Sequence, residues 1–181
     1  MINLSISTAE LNALRAQRIT PAISRAVRKA SGNSVREMRT EASRIIRSRK
    51  ALKLKHVRKA LVPRKARGRG LDQSWGLDVS GKRTRLSDYP HRQVKAGVRV
   101  EVNKGSKALV RSAFVATMRG SGHKGIFVRR GARRLPIKEL MSSRPVDVLR
   151  ESGESERVAV RGARSFFSNL DRLLKAELDK G

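Results

Sequence analysis

Apolar positions change period along this chain, and the change divides it. Ile23, Val27, Ala30, Val35, Met38, Ala42 and Ile45 recur at spacings of three to five. That spacing draws one apolar stripe along a helix of about seven turns. Arg25, Arg28, Arg36, Arg39 and Arg47 fall largely off the stripe. Thr20-Pro21 marks the start, with a threonine oxygen to cap and a proline whose missing N–H costs nothing at the first helical position. The helix is expected to reach about Ser48, with Gly32-Asn33 as a point of bending or interruption. A capping box at Ser7-Thr8-Ala9-Glu10, flanked by Ile6 and Leu11, predicts a short helix before it, to about Gln17.

After Trp75 the period falls towards two. Trp75–Val79, Gln93–Val102, Ala108–Met118 and Gly125–Arg129 are rich in Val, Phe and small residues, and Val94, Val98, Val100 and Val102 alternate with polar positions. Ser80-Gly81, Asn103-Lys104-Gly105 and Gly120-Ser121-Gly122 separate these runs as turns. The pattern predicts an antiparallel sheet of about four strands. Pro136 and Pro145 bracket a short connection. Phe166, Phe167, Leu170, Leu173, Leu174 and Leu178 then mark an amphipathic helix over roughly 155–179. The fold class is therefore α+β: a small antiparallel sheet packed with a long N-terminal helix and a C-terminal helix. A chain of 181 residues is expected to form one domain, 1–181. Its parts are helices over about 8–48, a basic segment over 49–70, the sheet over about 71–130, and the last helix.

Charge changes the picture next. Lys and Arg number 43 against 15 Asp and Glu, a formal net charge of +28, while aromatic residues make up 3%. Such a chain should meet polyanions or acidic protein surfaces, and should gain part of its stability by burying surface against partners. No acidic residue occurs from Ala42 to Leu71. Leu52, Leu54, Val57, Leu61 and Val62 interrupt the cations there, so a short strand or helical turn is expected near 52–62. Arg64–Gly70 then reads as a mobile loop carrying Arg64, Lys65, Arg67 and Arg69.

The candidate chemistry is sparse. Without cysteine there is no disulfide, thiolate nucleophile or Cys-ligated zinc. His56, His91 and His123 are far apart and lack ligand spacing, so they read as surface or loop residues, and no metal or cofactor is expected. The acids, such as Glu37, Glu41, Asp171 and Glu177, lie mostly on predicted helices, where pairing with arginine is their ordinary role. An enzyme is not expected. Gly120–Gly125, which includes His123 and Lys124, departs from phosphate-loop spacing and lies between strand-like runs. Its reading is a hairpin turn. Arg129, Arg130, Arg133 and Arg134 cluster about Gly131 and could meet phosphates, an acidic partner or solvent. Nucleic acid fits the charge, but Trp75 and Tyr89 are isolated and make no stacking platform, so any contact with DNA should be backbone-directed and sequence-independent.

Ala113–Leu140 carries a resemblance. Ala113-Phe114, Ala116-Thr117-Met118, Gly122-His123-Lys124-Gly125 and Arg134-Leu135-Pro136-Ile137-Lys138-Glu139-Leu140 resemble the phage minor tail protein Z family. Where related proteins continue with an aromatic-Gly-Pro-Ser stretch, this chain has Met141-Ser142-Ser143-Arg144-Pro145. The resemblance implies a non-enzymatic tail-completion subunit of the siphophage head–tail junction. It implies a homo-oligomeric, six-fold ring around the DNA channel. The implied neighbours are the head connector and the tail terminator or tail-tube proteins, with packaged DNA as a non-specific phosphate partner. Location would be the virion, after synthesis in the host cytoplasm. No run reaches the length of a membrane span, and the N-terminus lacks signal-peptide organisation. The alternative is a sequence-independent nucleic-acid-binding protein of ribosomal or nucleoid type. In either reading Arg64, Lys65, Arg67, Arg69, Lys124, Arg129, Arg130, Arg133 and Arg134 are the candidate contacts.

Overall fold

A computed structural model describes residues 19–67 and 73–178. The Ser7–Glu10 capping box, its short helix and Arg69 lie outside the described residues. The remainder is α+β, with long helices towards both ends and antiparallel sheets between them. Contacts group the chain into two compact units, each assembled from separated stretches. The first comprises Met1–Ala42, Leu61–Asp78 and Gly153–Gly181; the second comprises Ser43–Ala60 and Val79–Ser152.

The first long helix, α1, spans Ile19–Arg49, within a residue or so of its expected end. Gly32 does not interrupt it. Gly32 is exposed, and a Cβ placed there meets nothing within 4 Å. Gly32→Ala should therefore stabilise the protein by about 0.5–1 kcal/mol, by removing backbone freedom from the unfolded chain. Chemical denaturation followed by circular dichroism checks this, and a lower midpoint would mean that the helix needs glycine there.

Helix α1 ends at a short helix, α2 (Leu54–Ala60), which leads into strand β1 (Leu61–Arg67). This corrects the expectation of a mobile loop from Arg64. Arg64, Lys65 and Arg67 belong to β1, which forms a two-stranded sheet with β2 (Ser74–Val79). The basic residues conceal the strand because a two-stranded ribbon needs little apolar surface, and only Leu61 of β1 is buried.

In the first unit the stripe of α1 meets the last helix, α4 (Glu154–Leu178). Ala26, Val27 and Ala30 pack with Phe166 and Leu170, and Ile23, Trp75, Leu173 and Leu174 complete the cluster. Trp75 stacks on Phe166 with centroids 4.6 Å apart. Small residues let the backbones approach: the Ser34 hydroxyl donates to the Gly162 carbonyl at 2.8 Å. A Cβ on Gly162 would lie 2.4 Å from Met38 Cγ. Asn33 donates to Asn169 at 3.2 Å, and Arg161 pairs with Glu37 at 3.3 Å.

In the second unit two of the expected strands prove to be more than one. Gln93–Val102 spans a hairpin, β3 (His91–Val94) and β4 (Gly97–Glu101), turning at Lys95-Ala96. Ala108–Met118 covers β5 (Lys107–Arg111) and β6 (Ala113–Thr117), which part at Ser112, a left-handed residue with φ of 57°. The remaining strands are β7 (Lys124–Arg129) and β8 (Ile137–Glu139). Sheet orders are β3-β4-β5 and β6-β7-β8, each antiparallel throughout. The described strands thus number eight in three small sheets. A side chain ties these two three-stranded sheets together. The Gln93 amide accepts from the Val115 N–H at 2.8 Å and donates to the Gly97 carbonyl at 2.9 Å, so it stands in for a strand edge between β3 and β6. Helix α3 (Pro145–Arg150) follows, with Pro145 at its first turn and the Arg144 N–H donating to Asp147.

Candidate functional site

The β6–β7–β8 sheet contains the segment with the most distinctive sequence, and its two ends differ. At one end the β6–β7 turn is a hairpin, as its glycines imply. Gly120 and Gly122 have φ of 89° and 64°, and the Met118 N–H donates to the His123 carbonyl at 2.8 Å. His123 is held there by two partners. Its Nε2 lies 2.8 Å from Glu139 Oε1, and its Nδ1 lies 3.4 Å from Arg85 Nη1. A guanidinium can only donate, so Nδ1 accepts and the ring proton sits on Nε2, directed at the carboxylate. Arg85 Nε is also 3.8 Å from Glu139 Oε1. Gly125 makes room for this group, because a Cβ there would lie 2.9 Å from Glu139 Oε1 and 2.8 Å from the Phe127 ring.

The arrangement pins the β6–β7 turn to β8 and to the segment before the Leu86–Asp88 turn of 3-10 helix. Backbone bonds reinforce it: the Leu86 N–H donates to the Leu140 carbonyl and the Ser142 N–H to the Thr84 carbonyl. Sequence spacing carries no sign of this trio. Residues 85, 123 and 139 converge only once the β7–β8 register and the Arg85–Met141 bridge are known.

At the other end the chain runs from β7 to β8 through an exposed tip. All of Arg129–Pro136 is exposed, and the tip is closed at its neck by the Arg130 N–H donating to the Pro136 carbonyl at 3.2 Å. Arg129 lies with its guanidinium 5.5 Å from the centroid of Phe114 on the neighbouring strand, a cation–π contact that holds the long side chain. Ser112, Phe114, Arg129, Arg130, Gly131 and Ala132 line an open cleft of about 530 Å³ at the root of the tip. No carboxylate among the described residues pairs with Arg129, Arg130, Arg133 or Arg134.

The other candidate cations stand elsewhere. Lys124 is exposed at the start of β7, about 17 Å of strand from Arg129. Arg64, Lys65 and Arg67 belong to the first unit and Arg129–Arg134 to the second. Arg64 is occupied: its guanidinium lies 3.7 Å from Asp78 Oδ1 and covers Gly76, where a Cβ would lie 3.0 Å from Nη2. Lys65 and Arg67 are exposed on β1. Arg69 is outside the described residues.

The remaining histidines have local partners, His56 beside Asp88 at 3.5 Å and His91 beside the Tyr89 carbonyl at 2.8 Å. Among the described residues no three His, Cys, Asp or Glu side chains gather as a metal would require. No helix among them is long and apolar enough to cross a membrane. Comparison with known proteins returns no matching family model, no matching curated protein and no matching solved structure.

Proposed function

We propose that this protein is a structural, non-catalytic subunit of the phage head–tail junction. In this reading it is a tail-completion protein that assembles as a ring around the DNA channel and meets the connector on one side and the tail terminator or tube on the other. One observation carries the reading. The segment with the minor-tail-Z resemblance forms one continuous β6–β7–β8 sheet, braced at one end and presenting unpaired arginines at the other. A braced sheet with a charged tip suits a subunit that must dock rigidly, and a chain at +28 needs acidic neighbours or a template before copies of it can lie side by side.

A second reading, sequence-independent nucleic-acid binding, draws on the same arginines and on Lys65, Arg67 and Lys124. The aromatic residues weigh against it. Trp75 is stacked in a core cluster, Tyr89, Phe127 and Phe166 are buried, and one face of the Phe114 ring is covered by Arg129. Phe167 is half exposed on the last helix, and one open ring there is too little for a platform on which successive bases stack.

Mass spectrometry and reconstruction of purified particles test the first reading. The expected result is a ring of this chain at the junction, and its absence from particles would end the proposal. Purified protein tests the second. Under the neck reading, replacing Arg129, Arg130, Arg133 and Arg134 together with Gln abolishes particle assembly and leaves most DNA binding in place. Under the nucleic-acid reading it flattens the salt dependence of DNA binding, by about one unit in slope for every arginine that had neutralised a phosphate.

A further inference from the structure

We infer that the Arg129–Pro136 tip docks onto a protein segment that combines clustered carboxylates with an apolar side chain. Leu135 is the apolar anchor, and the arginines recognise the carboxylates. The inference rests on the reading above for the tip meeting a protein neighbour, and it names the chemistry of that neighbour.

Leu135 decides between partners. At 65% relative exposure it is the most exposed large apolar residue among those described, and it stands between Arg134 and Pro136 in the most basic turn of the second unit. A phosphate array gains nothing from an isobutyl group presented beside it. A protein surface does, because burying that side chain removes apolar area from water. The arginines fit the same partner. Guanidinium groups take carboxylates in a bidentate fork, and four of them lie within six consecutive residues with no internal acid to satisfy them.

The root of the tip is also held before it binds. Arg129 pairs with Ile137 across the β7–β8 register, the Arg130-to-Pro136 bond closes the neck, and Phe114 holds the Arg129 guanidinium at the mouth of the cleft. Little freedom then disappears when a partner's Asp or Glu enters between Arg129 and Arg130. The Arg129 guanidinium already lies over one face of Phe114, so a nucleobase would have to displace it to stack there.

The test uses the full chain and two fluorescein-labelled peptides of equal charge, one repeating Glu-Glu-Leu and one of Glu alone. A short random-sequence DNA duplex is the third probe, and fluorescence anisotropy at physiological salt is the readout. The wild-type protein should prefer the Glu-Glu-Leu peptide over the Glu peptide by about tenfold, the scale set by burying one aliphatic side chain. Leu135→Ser should erase that preference and leave duplex binding unchanged. Joint replacement of the four arginines with Gln should weaken both peptides by at least about tenfold. An unchanged preference in Leu135→Ser overturns the inference, as does a loss of duplex binding in that variant as large as the loss of peptide binding. Leu135 is exposed, so the variant should unfold at the wild-type temperature, and Leu135→Met, which keeps an apolar anchor, should retain the preference. These measurements are independent of particle analysis. Absence from particles defeats the neck reading while the peptide preference stands or falls alone, and a failed preference leaves the neck reading in place.

Discussion

Replacing Gly97 with alanine should strongly destabilise the second unit. Gly97 opens β4, is buried, and has φ of 150°, a conformation that L side chains rarely adopt. A Cβ there would lie 2.1 Å from the Val110 carbonyl oxygen and 3.0 Å from Arg111 Cα. Those atoms belong to the backbone of β5, which pairs with Gly97 in register at Arg111, so no side-chain rotation relieves the overlap. Either β5 moves off β4 or the β3–β4 turn is rebuilt, and the second also displaces the Gly97 carbonyl that accepts from Gln93. Backbone strain of about 1–3 kcal/mol and overpacking of similar size add to about 2–6 kcal/mol. A domain stable by about 5–15 kcal/mol loses a large share of its margin. Tyr89, the single tyrosine, is buried in the second unit and gives the signal to follow during denaturation. Gly105→Ala is the control. Gly105 also has positive φ, at 81°, but a Cβ there meets nothing within 4 Å, so only about 1 kcal/mol is expected. A midpoint for Gly97→Ala equal to that of Gly105→Ala would show that β5 does not press on Gly97 as described.

Gly97 also shows where the sequence was legible and where it was not. Periodicity located both long helices to within about two residues, although Thr20, expected as the cap of the first, lies inside it; each carries an apolar stripe over many turns, and period is a collective signal. It failed at the ends of short strands. In Gln93–Val102 the valines keep to even positions straight through a two-residue turn, although the pairing sets Gln93 opposite Val98 and Val94 opposite Gly97, so Val94 and Val98 lie on opposite faces and the even spacing hides the turn. The glycine inside that run was the available sign of a turn or close approach. Ser112 offered none, since a left-handed serine looks like any other in the sequence. Basic composition disguised β1 for a different reason. Its cations are set by the surface it presents, while the strand is held by backbone pairing to β2, which composition does not report.

The candidate contacts divide in the same way. The Arg129–Arg134 cluster was visible as a charge run, and the sequence also placed it beside a turn. What the run could not tell was which cations are free. Arg64 is paired with Asp78 fourteen positions on, a distance at which only strand pairing brings them together. Arg85, His123 and Glu139 are more distant still and meet through the β7–β8 register and the Arg85–Met141 bridge. Such convergence belongs to topology, which a single sequence with eight short strands does not fix.

The first unit rests on one aromatic side chain, and its removal should be the other large effect. Phe166 is 1% exposed, stacks on Trp75 and contacts Ala26, Val27, Ala30 and Leu170. Small residues on α1 form one wall of the cluster, and alanine has no side chain that can rotate into a vacated space. The lining should therefore relax little, and Phe166→Ala should cost about 3–5 kcal/mol. Phe166→Leu keeps part of the volume and should cost less, about 1–2 kcal/mol. Trp75, the single tryptophan, lies against the ring that is removed, so its emission should shift to the red and its unfolding transition should move to lower denaturant. The neighbouring Phe167 supplies the comparison. It touches Phe166 edge-on with centroids 5.4 Å apart, but it is 47% exposed. Phe167→Ala should cost about 1 kcal/mol or less, because about half of its surface is already in water. Equal losses at the two positions would place Phe166 outside the core, and the small residues of α1 would then have no packing role to explain them.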